Sequence, residues 1–269
     1  MLAAVIKEVY MSLNKKQIQL GLGGLVNELS ITVYKKIDST NTQAKIAAEL
    51  GEAKNAIFIA SEQTAGRGRM GRSFSSNKGK GLYLSILLGS ELPADFATAL
   101  TTYMAVVARR AISALANVEP KIKWVNDIYL GGKKLAGILT EGKAKREGTL
   151  AYAVVGIGIN LFKQDFPDDV KAIATTIEDE CGKEVDVNEL TALIVKEFFD
   201  NLNLVGTPEL ADEYRAHSFL IGERVTVIKP TTAYEATVKG ITDKCELLLE
   251  LPDGTEEILS TGEVSVRKI

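Results

Sequence analysis

Short apolar runs of strand length recur over the first 160 residues, and they restrict the fold more than any other feature of this sequence. They are ITVYKKI (31–37), AIFIASE (56–62), LYLSILL (82–88), KIKWV (121–125) and TLAYAVVGIGI (149–159). Buried strands are short, rich in β-branched and aromatic residues, and bounded by Gly or polar segments. These runs, with IYL and KLAGILTEG on either side of a Gly-Gly turn, predict one mixed β-sheet.

Apolar residues at helical spacing lie between and after the strands. Ser39 and Thr40 offer N-cap hydroxyls to a helix that ends at Gly51. The same kind of spacing predicts further helices over 94–117, which should be the longest, 188–204 and 208–216. Helices beside a mixed sheet define an α+β protein.

The sequence pattern changes near Ile221, where short strands with polar turns replace the helices. A tail of this length is too small for a generous core of its own, so we expect a small β-barrel packed on a larger domain. At the other end, glycines between 21 and 24 would loosen a helix. The predicted organisation is a weakly attached lead-in over 1–30, a main domain over 31–220 and a barrel over 221–269.

Composition excludes several classes of protein. The formal net charge is −3, which argues against a generally basic nucleic-acid binder. Cys181 and Cys245 are too few for a disulfide framework, which favours a reducing compartment. No apolar stretch reaches the roughly 20 residues of a membrane-spanning helix. We therefore expect a soluble, cytoplasmic protein.

A segment rich in Gly and Arg separates two of the predicted strands. Gly66–Arg72 places three arginines among three glycines. Glycine lets backbone N–H groups approach phosphate oxygens, and the arginine guanidinium donates paired hydrogen bonds to phosphate or carboxylate. By composition the segment is equally typical of a solvated basic loop with RNA affinity. Its position between two apolar strands favours an anion-binding loop.

Four motifs resemble those of the biotin–protein ligase family and follow the family's order. They are GRGRMGR (66–72), KWVND (123–127), KKLAGIL (133–139) and GIGIN (156–160). The resemblance runs from about Val33 to the C-terminus and implies a class II synthetase-like catalytic domain followed by an SH3-like barrel. It also implies activation of biotin to biotinoyl-5′-AMP by ATP with Mg²⁺, and transfer of biotin to a lysine of a biotin carboxyl carrier protein.

The resemblance implies roles for the charged residues. Arg69 and Arg72 correspond to residues that serve the ATP phosphates. Lys134 corresponds to the lysine that contacts the reacting carboxylate and phosphate, while strand alternation turns Lys133 to the opposite face. Asp127 corresponds to an acidic group associated with the magnesium nucleotide, and it is the candidate metal ligand. The candidate catalytic residues are Lys134, Arg69 and Asp127.

Further polar and aromatic residues resemble the family's nucleotide contacts. Asn126 and Asn160 correspond to adenylate contacts, although a turn also explains an Asn-Asp pair. Phe74 stands where the family often has an aromatic residue near adenine, and core packing is its alternative. Val125 departs from the family's proline, which should alter local rigidity more than chemistry. The candidate ATP-binding residues are Arg69, Arg72, Phe74, Asn126, Asp127, Lys134 and Asn160.

Short polar residues and glycines resemble the family's biotin site. Their side chains suit a ureido ring, which has one carbonyl and two N–H groups, and helix capping is the alternative for Ser39 and Thr40. Gly156 and Gly158 would let a flat ligand lie against the strand, and GIGIN lacks the third glycine of a dinucleotide motif. The candidate biotin-binding residues are Ser39, Thr40, Asn41, Gln63, Gly66, Arg67, Arg69, Lys134, Gly156 and Gly158.

Three other functions compete with a biotin ligase. A lipoate or octanoate ligase or transferase shares the architecture, but the Gly/Arg loop and the barrel favour biotin. A biotin-sensing repressor needs a DNA-binding module, and about 30 residues precede the ligase-like region, so we expect a form without that module and without specific DNA binding. A noncatalytic RNA-binding protein would bind RNA with steep salt dependence. Edge strands could pair two subunits as a homodimer, and no membrane partner is expected.

Overall fold

The computed structural model describes residues 10–51, 55–89, 92–93, 96–145, 148–229, 231–260 and 265–269. Its helices are α1 (Lys15–Leu22), α2 (Thr40–Leu50), α3 (Phe96–Ala116), α4 (Asp168–Lys171), α5 (Ile177–Cys181), α6 (Val187–Asp200) and α7 (Pro208–His217). Within this part of the chain, no helix is both long enough and apolar enough to cross a membrane.

The main sheet contains eight strands. They are β1 (Ser30–Tyr34), β2 (Asn55–Ala60), β3 (Gly81–Leu88), β4 (Leu92–Pro93), β5 (Lys121–Lys123), β6 (Asp127–Leu130), β7 (Lys133–Ala144) and β8 (Thr149–Asn160). Their order is β1-β2-β3-β8-β7-β6-β5, with β4 beside β8. Only the β1–β2 ladder is parallel among the described ladders of this sheet, so the prediction of a mixed sheet with flanking helices is confirmed.

The two faces of the main sheet are covered differently, and the side chains of strand β8 show the difference. Ile157 and Ile159 are buried in the large core, which also contains residues of α1, α3 and α6. Because side chains alternate along a strand, Gly156 and Gly158 lie on the opposite face. There the short helix α2 packs through Ala44 and other small residues over only part of the sheet. The face that carries Gly156 and Gly158, which we call the glycine face, therefore has room for a ligand-binding site.

Helix α1 is packed firmly against the rest of the molecule. Ile18 and Leu22 are buried, and a Cβ atom at Gly21 would lie 2.5 Å from the Cβ of Ala192 in α6. The glycine thus permits close helix packing, where the sequence predicted that it would loosen the helix. The expectation of a weakly attached lead-in is therefore wrong for residues 10–30, and residues 1–9 lie outside the described residues.

The C-terminal strands form a second, antiparallel sheet. Its strands are β9 (Arg224–Ile228), β10 (Ala233–Ile241), β11 (Leu247–Glu250), β12 (Glu256–Leu259) and β13 (Ser265–Lys268), in the order β12-β11-β10-β9-β13. The prediction of a small β module is confirmed. Among the described residues no ladder joins the edge strands β12 and β13, so the structure shows an antiparallel sheet without the closure of the predicted small SH3-like barrel.

Smaller differences from the predicted elements have local causes. The helix predicted over 188–204 ends at Asp200, because Asn201 leaves the helical conformation at φ −116° and ψ 20°. The strand KIKWV ends at Lys123, and residues 124–126 form a turn. The sequence reading missed α4 and α5, which are too short to show helical periodicity. Cys181 and Cys245 are both free thiols.

Candidate active site

A small cleft opens on the glycine face of the main sheet, and the space between its walls, including the part open to solvent, is about 290 Å³. Polar side chains come from the start of α2 and from the Gly/Arg segment, and apolar groups come from the sheet. The lining residues are Ser39, Thr40, Asn41, Gln63, Arg67, Phe74, Leu139, Gly156, Ile157 and Gly158.

The glycines of GIGIN make room for protein side chains. A Cβ atom at Gly158 would lie 2.5 Å from Cε1 of the Phe74 ring, and one at Gly156 would collide with the amide of Asn41. The sequence predicted that a flat ligand would use this space. In the structure, Asn41 lies over Gly156 and Phe74 lies over Gly158, and both glycines line the cleft beside these two side chains.

Gln63 caps helix α2, which leaves the Ser39 hydroxyl for the cleft. The Thr40 backbone N–H and hydroxyl donate to Gln63 Oε1 at 2.8 and 3.1 Å, and Gln63 Nε2 donates to Ser76 Oγ at 2.9 Å. Ser39 occupies the N-cap position, is only 2% exposed and makes no side-chain cap hydrogen bond. The Ser39 hydroxyl therefore does not cap helix α2.

Ser85 lies beneath this network and was missed by the sequence reading. Its hydroxyl donates to Asn41 Oδ1 at 2.6 Å and lies 2.8 Å from Thr40 Oγ1, with all three residues buried. The signal was present, since Ser85 is the only polar residue in the apolar run LYLSILL. A buried hydroxyl in such a strand requires polar partners.

Glu141 is a second residue that the sequence reading missed. Its carboxylate lies 2.8 Å from Lys45 Nζ and 3.1 Å from Arg67 Nη1, and it accepts a hydrogen bond from Asn41 Nδ2 at 3.0 Å. Burial raises the pKa of Glu141, but the hydrogen bonds from Lys45 and Asn41 and the charges of Lys45 and Arg67 outweigh it, so that the pKa is below its ordinary value. Glu141 is therefore a carboxylate at neutral pH.

Four of the predicted residues meet in what we call the Lys134 cluster, namely Arg69, Asn126, Asp127 and Lys134. Arg69 Nη1 donates to Asn126 Oδ1 at 3.1 Å, and Lys134 Nζ lies 2.6 Å from Asp127 Oδ1. Asn126 Nδ2 donates to the carbonyl of Ile138 at 2.9 Å, which fixes the amide orientation. Burial lowers the pKa of Arg69, and the charge of Asp127 partly offsets this. The cluster places two cations beside one carboxylate.

Phe74 joins the cleft and the Lys134 cluster into one site. A Cβ atom at Gly137 would lie 3.2 Å from Lys134 Nζ and 3.5 Å from Phe74 Cε2. Gly137 pairs with Gly158 across β7 and β8, so the lysine, the ring and the lining of the cleft are neighbours. Lys133 is exposed on the other side of its strand.

The Gly/Arg segment folds into a hairpin over Gly66–Phe74. Gly68 N–H donates to the Arg72 carbonyl at 2.7 Å, and Phe74 N–H donates to the Gly66 carbonyl at 2.9 Å. A Cβ atom at Gly66 would collide with the Phe74 carbonyl oxygen, so glycine is required there for close backbone approach. The tip at Arg69–Gly71 is a short 3-10 turn.

Several predicted residues lie apart from the cleft. The Arg72 side chain is exposed to solvent. Asn160 is buried, accepts a hydrogen bond from Gln164 Nε2 at 3.4 Å and does not line the cleft. Trp124 of the KWVND motif, which is not among the candidate site residues, belongs to the core, where its Nε1–H donates to the Cys245 carbonyl at 2.9 Å.

In the part of the chain that the structure describes, the only metal site that fits is one in which a protein carboxylate and the phosphates of a nucleotide hold the ion together. Among the described residues no group of three His, Cys, Asp or Glu side chains could hold a metal ion. Asp127 supplies one carboxylate next to Lys134. Since Mg²⁺ commonly binds to one or two carboxylates together with substrate phosphates, Asp127 suits a magnesium ion that arrives with a nucleotide.

In this fold the cations of the Lys134 cluster adjoin a polar cleft beside an arginine-containing hairpin, an arrangement suited to anionic ligands. Residues 33–160 match the Biotin/lipoate A/B protein ligase family, and residues 220–267 match the Biotin protein ligase C terminal domain. The chain belongs to the biotin protein ligase family.

Similar proteins agree with this assignment. The chain is 33% identical over 238 residues to the Biotin--[acetyl-CoA-carboxylase] ligase of Paracoccus denitrificans, covering 85% of this chain and 97% of that protein. It is 32% identical over 254 residues to the Bifunctional ligase/repressor BirA of Bacillus spizizenii, covering 92% of this chain and 78% of that protein. The biotin protein ligase of Aquifex aeolicus, solved in complex with biotin and ATP, superimposes with a TM-score of 0.74 at 26% identity, covering 89% and 99% of the two chains.

Proposed function

We propose that this protein activates biotin with ATP to form biotinoyl-5′-AMP and then transfers biotin to a specific lysine of a biotin carboxyl carrier protein. The observation that carries the proposal is the contact through Phe74 between the polar cleft and the Lys134 cluster. A ligand whose ring lies in the cleft can place a carboxylate tail beside Lys134. The names of the similar proteins support the same reaction.

Biotin occupies the cleft in this proposal. The ureido carbonyl and N–H groups need short polar partners, and Ser39, Thr40, Asn41 and Gln63 provide them at the start of α2. Phe74 and Leu139 contact the apolar part of the ligand. Arg67 also lines the cleft, on the side where it pairs with Glu141.

The nucleotide lies beside the Lys134 cluster. A biotin carboxylate oxygen attacks the α-phosphorus of ATP, the bond between the α-phosphorus and the bridging oxygen breaks, and pyrophosphate leaves. Arg69 and Lys134 reduce the repulsion between the two anions. Magnesium neutralises phosphate charge when it binds with ATP, and Asp127 is the residue that would hold it. Asn126, Arg72, Phe74 and Asn160 remain our candidates for the other nucleotide contacts.

The second half-reaction needs no protein nucleophile. The ε-amine of the acceptor lysine attacks the biotinoyl carbonyl, AMP leaves as the carbonyl–oxygen bond breaks, and the amine loses a proton. The main domain over 31–220 performs both steps in this proposal, and the module over 221–269 supports it through the Trp124–Cys245 contact.

Incubating the protein with MgATP, biotin and a biotin carboxyl carrier domain tests the proposal. We expect biotin on one carrier lysine, detected by mass spectrometry, with AMP and pyrophosphate as the other products. A carrier domain whose acceptor lysine is replaced by arginine is the control. Absence of biotinylated carrier at saturating ligand concentrations contradicts the proposal.

Ligand competition separates biotin from lipoate, because unlabelled lipoate should not displace labelled biotin. The match of residues 220–267 to a biotin ligase domain favours biotin. Cytoplasmic location, absence of specific DNA binding and a possible homodimer stay predictions from the sequence. An electrophoretic shift on the promoter of its own gene and sedimentation with and without ligand test the last two.

A further inference from the structure

Glu141 lies behind the cleft and touches two of the residues that line it. Its side chain is 19% exposed, and it does not itself line the cleft. Strand β7 carries it, whereas its partners come from α2 and from the Gly/Arg hairpin. Its carboxylate therefore connects three separate parts of the chain around one cavity.

The contact with Asn41 fixes the direction of that amide. Asn41 Nδ2 donates to Glu141 Oε2 at 3.0 Å and to the Leu139 carbonyl at 3.2 Å. Both partners are acceptors, so the amide nitrogen must point at them. Asn41 Oδ1 then accepts from Ser85 at 2.6 Å, above Gly156. Glu141 thereby contributes to the pattern of donors and acceptors at the cleft.

The contact with Arg67 fixes the hairpin relative to the cleft. Arg67 Nη1 lies 3.1 Å from Glu141 Oε1 and 3.4 Å from Oε2, although the Arg67 side chain is 45% exposed. Lys45 Nζ lies 2.8 Å from the same Oε1 atom. Without the carboxylate, two cations would face each other at short range and Arg67 would move away.

We propose that Glu141 is a positioning residue for ligand binding, which holds Arg67 at the mouth of the cleft and orients the amide of Asn41. This proposal rests on the proposed function, since it takes biotin as the ligand of the cleft. Holding these groups in place before binding lowers the cost of ordering them, so its loss should weaken binding more than the chemical step.

Calorimetric titration of biotin into Glu141→Gln tests the proposal. We expect the dissociation constant for biotin to rise about tenfold, in line with the loss of a charge-assisted hydrogen bond. At saturating biotin, kcat should stay within about twofold, because the change removes ground-state binding.

Glu49→Gln is the matched control. The Lys143–Glu49 pair joins the same helix α2 to the same strand β7, at 3.3 Å and with both side chains more than half exposed. This control should leave biotin affinity and kcat within about twofold of the wild type, as expected for a surface pair. Thermal unfolding of both variants checks that each is folded.

Glu141→Asp separates the effect of charge from that of general packing. We expect it to recover part of the affinity lost in Glu141→Gln, because it keeps the negative charge between Lys45 and Arg67. Equal biotin affinity in Glu141→Gln and Glu49→Gln, or equal loss in Glu141→Asp and Glu141→Gln, overturns the positioning role. A wild-type protein that does not bind biotin contradicts the proposed function itself, which distinguishes the two failures.

Discussion

The ring of Phe74 lies directly above Gly158, and it touches both the cleft and the neighbourhood of Lys134. A single added carbon atom at Gly158 would overlap the ring, because its Cβ would lie 2.5 Å from Cε1 of Phe74. The same kind of constraint holds at Gly66, where the backbone of Phe74 is close. At the scale of single residues, the site is thus organised around one aromatic side chain.

Replacing Gly158 by Ala should displace Phe74, because the new methyl group would lie 2.5 Å from its ring. We expect a stability loss of about 1–3 kcal/mol, as for other overpacked sites, together with weaker biotin and ATP binding. Chemical denaturation and ligand titration measure the two effects. Gly240→Ala is the control, because this strand glycine has nothing within 4 Å of its missing Cβ. Equal effects of the two substitutions contradict the role given to Phe74.

Replacing Arg69 by Ala removes the guanidinium that donates to Asn126 Oδ1 at 3.1 Å. We expect the adenylate to be released about tenfold faster or more, since a charge-assisted contact to a buried anion is lost. Mass spectrometry of adenylate retained after gel filtration gives the measurement. Arg224→Ala, which breaks an exposed pair with Glu235, should retain adenylate as the wild type does. Unchanged retention in Arg69→Ala argues against its proposed role.

Helices α3 and α7 are joined by a group of ion pairs. Glu213 in α7 accepts from Arg110 Nε at 2.8 Å and from Arg109 Nη2 at 3.2 Å. Burial raises the pKa of Glu213, but the hydrogen bonds and charges of the two arginines outweigh it, so that the pKa lies below its ordinary value. At the scale of elements, this carboxylate connects the long core helix to the helix that precedes the C-terminal sheet.

Replacing Glu213 by Gln should lower the free energy of unfolding at pH 7 by about 1 kcal/mol, a modest value because the pairs are partly exposed. A carboxyl whose pKa is lowered by folding contributes stability above its unfolded pKa of about 4.3, and loses it as pH falls through the folded pKa. The difference between wild type and variant should therefore shrink between pH 5 and pH 3 or below, roughly the range in which such carboxyls titrate.

Urea denaturation across that pH range measures the effect. Glu235→Gln, at the exposed Arg224 pair, should change stability by less than about 0.5 kcal/mol at every pH. A difference for Glu213→Gln that does not depend on pH would mean that its charge is not the cause.

The two sheets share one continuous core. Residues of the C-terminal sheet, such as Val227 and Leu249, belong to the same buried cluster as the long helix α3. Trp124 Nε1 donates to the Cys245 carbonyl, and the Tyr214 hydroxyl donates to the Val125 carbonyl at 3.1 Å. At the scale of the whole molecule, the turn that leads to Asn126 and Asp127 is thus fixed by hydrogen bonds to Tyr214 in α7 and to Cys245, between strands β10 and β11.

We therefore expect the chain to unfold in one cooperative transition. Trp124 is the single tryptophan, so its fluorescence reports on the contact between the sheets. Urea curves from tryptophan fluorescence and far-UV circular dichroism should coincide, as required for two-state unfolding. A fluorescence transition at clearly lower urea than the dichroism transition would show that the C-terminal sheet separates first.

The positions of most strands and helices followed from the sequence by itself. Alternating or continuous apolar runs located β1, β2, β3, β7 and β8, and helical spacing located α2, α3, α6 and α7. These signals are local, because they depend on the period of side chains along a single element. The four motifs also identified the family, since each is a contiguous run of residues.

Contacts between distant residues were decided only by the tertiary structure. Glu141 meets Lys45 and Arg67, which are far from it in sequence, and no local pattern indicates this pairing. For the same reason the sequence did not indicate that Asn41 and Phe74 lie close to the glycines of GIGIN, and it suggested a loose lead-in where α1 packs against α6. Side-chain periodicity determines which face a residue takes, but only the pairing of elements determines what that face meets.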